Sequence, residues 1–149
     1  MISADAVKNL RDKTGASMID CKKALEEAQG EEQKALEILG QRGAAIAKKK
    51  AERQIKAGLI DAYIHTNGKI GVLLELGCET DFVARNENFK NLAHELCLQI
   101  SAMNPQNEGE FLSQPFIKNP EQSVQDLING AIAKLGENIK VGKFIRFEL

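Results

Sequence analysis

In residues 69–77, Ile70, Val72, Leu74 and Leu76 recur at every second position, which predicts a strand with one buried face. A second apolar run, 58–66, precedes it across Asn67-Gly68. An Asn-Gly pair between two such runs signals a hairpin whose two central residues take positive φ. From Asn88 to Met103 the period changes to that of a helix. Phe89, Leu92, Ala93, Leu96, Ile100 and Met103 form one stripe, and Asn104-Pro105 ends it. Residues 106–119 read as a loop pinned by Phe111, Leu112, Phe116 and Ile117. Pro120 suits the first turn of a further helix reaching Leu135, with Val124, Leu127, Ile128, Ala131 and Leu135 inward and Gly136 closing it. The last strand, Ile139 to Leu149, alternates Val141, Ile145 and Phe147 against Arg146 and Glu148.

The first 42 residues carry a different pattern. Ser3 is placed as an N-cap before Ala6, Val7 and Leu10, and Gly15 breaks that helix. A second helix spans about Ser17 to Ala28, with Met18, Cys21, Leu25 and Ala28 at helical spacing and Gly30 as its stop. A third starts near Glu31 and buries Ala35, Leu36 and Leu39. Residues 43–56 form a basic helical linker, with Lys48, Lys49, Lys50, Arg53 and Lys56 against Glu52. The expected fold is α+β. A three-helix module of ubiquitin-associated type (1–42) precedes a core (57–149) of three-stranded antiparallel sheet packed with helices.

Composition narrows the functional classes. A net charge of −1 and a pI near 6.2 argue against a dedicated nucleic-acid binder. The basic linker reads as a solvated helix face, with too few cations and no aromatics for nucleic-acid contact. Cys21, Cys78 and Cys97 are odd in number and lack CxxC spacing, so they read as reduced thiols and not as a disulfide or zinc framework. No membrane span or leader pattern is visible, and the expected location is cytoplasmic. As an enzyme, the chain offers Glu79 and Asp81 as a carboxylate pair with His65 or His94 as base. No nucleophile–base–orienter set or phosphate-cradling glycine loop accompanies them.

Glu79-Thr80-Asp81-Phe82-Val83-Ala84-Arg85-Asn86 sits between the second strand and the amphipathic helix. Two readings of this corner compete. In one, a polar residue caps the helix and Phe82 staples it to its own fold. In the other, Phe82 is offered to a partner. The string TDFVARN resembles the signature loop of the elongation factor Ts family. The opening LRDKTGASMIDCKKAL, the hairpin GLIDAYIHTNGKIGVLLEL and the ending LSQPFIKNP…AIAKLGENIKVGKFIRFEL are similar to further segments of that family, in the same order.

The resemblance implies a guanine nucleotide exchange factor for the translational GTPase elongation factor Tu, with no bond chemistry of its own. It needs no cofactor, because GDP, GTP and magnesium belong to the partner. Thr80, Asp81, Phe82 and Val83 are implied to act at the partner's nucleotide domain, and Arg11, Met18, Ile19 and Lys22 to grip it elsewhere. Departures are visible. Ile19 stands where many members carry a second Met, and only a few residues separate Met103 from Phe111, where longer members carry extra helical or duplicated segments. With a single core subdomain, the edge strand Ile139 to Leu149 is expected to pair two chains into a homodimer. The rival expectations are an adapter using the ubiquitin-associated-type module, and a degenerate factor that binds the GTPase with weak exchange.

Overall fold

The computed structural model describes all 149 residues, Met1–Leu149. Helices α1 (Ala4–Thr14) and α2 (Met18–Glu27) start at serine caps. Ser3 Oγ accepts from the Ala6 amide and Ser17 Oγ from the Asp20 amide, each at 3.1 Å. Gly15, left-handed at φ 70°, closes α1 by donating to the Arg11 carbonyl. Val7, Leu10, Cys21, Ala24, Leu25, Ala28 and Ala35 make a small separate core.

The third helix runs on through the first part of the predicted linker as a single element, α3 (Glu32–Lys50), uninterrupted at Gly40 and Gly43. Residues 51–56, expected to be helical, form a turn and irregular chain leading into the sheet. A helical glycine costs only about 1 kcal/mol against alanine. Gly43 is buried where α3 meets the backbone of Asn129 and Gly130. The first half of α3 serves the small bundle, while Ile46 and Ala47 pack on the larger core.

The main sheet has the order β1–β2–β5, all antiparallel, with β1 Ala57–Ile64, β2 Ile70–Cys78 and β5 Lys140–Glu148. At the hairpin tip only Gly68 takes positive φ (70°), and Asn67 does not. His65 accepts from the Gly68 amide at 2.8 Å and donates to Ile70 at 2.9 Å. The longer loop thus replaces the expected two-residue turn. Gly58 is required at φ 152°, since a Cβ there would lie 2.3 Å from the Leu76 carbonyl oxygen.

Helix α5 (Glu87–Met103) covers one face of this sheet, with Phe89, Leu92, Leu96 and Ile100 against Val72, Leu74 and Leu76. The inward alternation expected of the last strand does not hold. An irregularity opposite Leu74/Leu76 places Phe144 beside Leu74 and Val141 beside Leu76, so one extra residue lies in β5. That residue inverts the faces beyond it. Phe144 packs on the core, while Ile145 and Phe147 emerge on the open face. Arg146 turns to the helix side, where its Nε donates to the Ser101 carbonyl at 3.1 Å.

The predicted loop 106–119 is also more ordered. It holds α6 (Glu108–Ser113), capped by Asn107, and a two-stranded ribbon of β3 (Pro115–Phe116) and β4 (Asn119–Ser123). Phe111 and Phe116 are buried as expected, but Ile117 is exposed. Buried Gln99 holds the segment, donating to the Pro115 carbonyl at 3.0 Å and accepting from the Ile117 amide at 2.9 Å. Pro120 therefore lies in β4. Helix α7 (Val124–Leu135) begins four residues later, at a reciprocal capping box between Ser123 and Asp126.

Candidate functional site

The corner after β2 is built around one helical turn, α4 (Asp81–Ala84). Thr80 caps it, its Oγ1 accepting from the Val83 amide at 3.4 Å. Val83 and Ala84 point into the main core. Their burial rotates the opposite side of the turn outward, where Asp81, Phe82 and Arg85 are exposed. Phe82 is 87% exposed. The staple reading fails, because Phe82 buries little of its surface on its own chain. Of the four corner candidates, Val83 is a core residue that supports the turn from below and adds nothing to its exposed surface.

Two residues that the sequence reading passed over hold this corner. Glu137 follows Gly136, the left-handed end of α7. Its Oε1 accepts from the amides of Glu79 (3.1 Å) and Thr80 (3.0 Å), and its Oε2 from Thr80 Oγ1 (2.7 Å). Glu79 reciprocates, its Oε2 accepting from the Asn138 amide at 2.6 Å. Buried Asn138 then donates from Nδ2 to the carbonyls of Ala51 (3.3 Å) and Arg53 (2.8 Å), just beyond α3. The only trace of this in the sequence is a polar pair, Glu-Asn, directly after a helix-closing glycine.

The second candidate group lies on the bundle. Met18 and Ile19, in the first turn of α2, are 59% and 66% exposed, and Arg11 on α1 and Lys22 on α2 are exposed as well. Lys134 links this region to the corner. Its Nζ would lie 3.3 Å from a Cβ at Gly15, in the α1–α2 turn, and it donates to Asn88 Oδ1 at 3.5 Å. Asn88 is in the first turn of α5, six residues after Phe82. Lys134 thus lies between the α1–α2 turn of the bundle and the first turn of α5.

The sequence model of the family described as Elongation factor TS matches residues 79–149, starting at the corner itself. A relative named Elongation factor Ts from Thermoanaerobacter pseudethanolicus is 45% identical over 193 positions, covering 99% of this chain and 95% of the relative. The chain belongs to the elongation factor Ts family. Two other relatives of that name agree. One, from Carboxydothermus hydrogenoformans, is 43% identical with 100% of this chain and 89% of the relative covered. The other, from Oleidesulfovibrio alaskensis, is 45% identical with 99% and 98% covered. The chain is thus a translation elongation factor.

Within the elongation factor Ts family this is a shortened chain. The alignment to the Thermoanaerobacter relative has 193 positions and the chain 149 residues, so at least 44 positions of that relative have no counterpart here. The groups considered for catalysis are not assembled. His65 and His94 lie around Tyr63, whose hydroxyl is 2.9 Å from His65 Nδ1, near the hairpin tip. Glu79 and Asp81 lie past the other end of β2, about 26 Å away along the strand. All three thiols are buried, and burial is the main cause raising their pKa values, that of Cys97 to about 12 with a smaller push from Asp61. They stay protonated at neutral pH and are poor nucleophiles. No helix is long and apolar enough to cross a membrane.

Proposed function

We propose that this protein is a guanine nucleotide exchange factor for elongation factor Tu. The observation that carries the reading is Phe82, an aromatic turned to solvent from a helical turn whose other side is fixed in the core. Burying a side chain of that size is worth roughly 1.5–3 kcal/mol, so its exposure is a standing cost unless a partner covers it. Phe82 is the wedge into the partner's nucleotide domain, with Asp81 beside it as the charged contact. Thr80 orients the turn and Val83 seats it. Met18 and Ile19 supply an apolar grip, flanked by Arg11 and Lys22. No bond is made or broken by this chain, and nucleotide and magnesium stay with the partner.

The mechanism is linkage. A factor that weakens nucleotide binding is itself weakened by nucleotide in the same ratio. Accelerating release a thousandfold requires about 4 kcal/mol of preference for the release transition state. A well-buried aromatic anchor is worth about 2–4 kcal/mol on truncation, so Phe82 supplies much of that if the bundle holds it in place.

The test is release of a fluorescent GDP analogue from purified elongation factor Tu. The full chain accelerates release, and Phe82→Ala abolishes most of the acceleration while its circular dichroism is unchanged. Binding to the GTPase without acceleration moves the reading to a degenerate factor. No binding at all, together with affinity for a ubiquitin-like protein, moves it to the adapter.

A homodimer is the second part of the proposal, and the exposed side chains redirect it from the sheet edge to the sheet face. Ile60, Ile64, Leu73, Ile145 and Phe147 are exposed on the side of the main sheet that no helix covers. Two such faces stacked about 10 Å apart would bury them. Glu75 and Lys143 on the same face give a second copy charges of both signs to meet.

A further inference from the structure

We propose that Glu137, acting with Asn138, is a positioning residue that sets where Phe82 stands relative to the bundle; this rests on the exchange reading above. Helix α4 is four residues long, too short to hold its own orientation by helical hydrogen bonds. Its direction must come from outside, and the nearest outside support is the Glu137 carboxylate. That group fills both oxygens with donors from the corner, 57 and 58 residues away in sequence. One of those donors is the Thr80 hydroxyl, whose oxygen in turn accepts from the Val83 amide. Glu137 thus fixes the rotamer of the cap that starts α4.

The same dipeptide reaches the other partner-facing group. The Asn138 backbone amide donates to the Glu79 carboxylate, and its side-chain amide donates to the carbonyls that follow α3. The far half of α3 is a wall of the bundle that displays Met18 and Ile19. A corner and a bundle that must engage one partner at once are therefore tied at two adjacent residues. Such a tie removes ordering cost at the moment of binding. Misplacement by about 1 Å can cost up to about a hundredfold in a rate that depends on alignment.

The experiment is a mutant cycle on the full chain, reading GDP release from elongation factor Tu across factor concentrations. Glu137→Ala lowers the maximal release rate by about tenfold and moves the half-saturating concentration much less. Glu137→Gln, whose carbonyl oxygen still accepts from both corner amides, keeps most of the rate. In a Phe82→Ala background, Glu137→Ala causes no further loss, because the clamp acts through Phe82. Hydrogen exchange at the Thr80 amide, measured without partner, is faster in Glu137→Ala than in the parent chain. If Glu137→Ala does not fold, Glu137→Asp, too short to reach all three donors, carries the same cycle. A full rate in Glu137→Ala (or in Glu137→Asp where it stands in), or losses that simply add to that of Phe82→Ala, would overturn the proposal. A parent chain that leaves release unchanged sinks the exchange reading first and the clamp's role with it, an outcome visible before any variant is compared.

Discussion

Phe82 and Phe89 are seven residues apart, two helical turns, yet one is exposed and the other has no exposed surface. Periodicity assigned Phe89 correctly, because it belongs to a stripe with Leu92, Leu96 and Ile100. It could not assign Phe82, which stands in a single turn too short to show a period. That turn's rotation is decided by Val83 and Ala84 meeting the core. The two residues should differ accordingly in stability. Phe89→Ala is expected to cost about 3–5 kcal/mol, a buried aromatic lost from a packed core. Phe82→Ala is expected to stay within about 0.5 kcal/mol of the parent. Urea midpoints at unchanged slope measure both, and a large loss for Phe82→Ala would return it to a structural role.

Elements with long periodic patterns were legible, and their boundaries less so. The hairpin pair, α5 and most of α7 follow directly from apolar spacing. Pro120 misplaced the start of α7, because proline suits an edge strand as well as a first helical turn, and the capping box at Ser123 and Asp126 prevailed. Ser123→Ala should therefore lower stability by about 1 kcal/mol, read as a lower thermal midpoint. If α7 began at Pro120, Ser123 would be inside the helix and its loss would cost little. The register of β5 was invisible for another reason. An irregularity of one residue is set by the pairing partner, and alternation within the strand itself cannot reveal it.

Across the whole molecule, α3 joins two cores that the sequence reading had separated by a linker. Gly40 and Gly43 do not interrupt it, and Gly43 is buried where the helix meets the α7 backbone at Asn129 and Gly130. The open sheet face is the other feature of this scale. Apolar surface from three strands accumulates there, and contiguous exposed patches mark association sites. Sedimentation at micromolar concentration should give twice the 16.4 kDa chain mass, falling to one chain in the double variant Ile145→Lys, Phe147→Lys. A single-chain mass for the parent would remove the dimer proposal and leave the exchange reading untouched.

The sequence by itself determined the α+β class, the order of the main elements and the family. Those rest on local periodicity and on motifs that survive in linear order. It also marked the octet at Glu79 to Asn86 as the place to look. Only the tertiary structure decided which side of that octet faces out, that Val83 belongs to the core, and that Glu137 and Asn138 hold the corner. The clamp joins residues 57 or more positions apart, and the turn is seated against the strands of the hairpin, so neither set of partners leaves a pattern along a single chain.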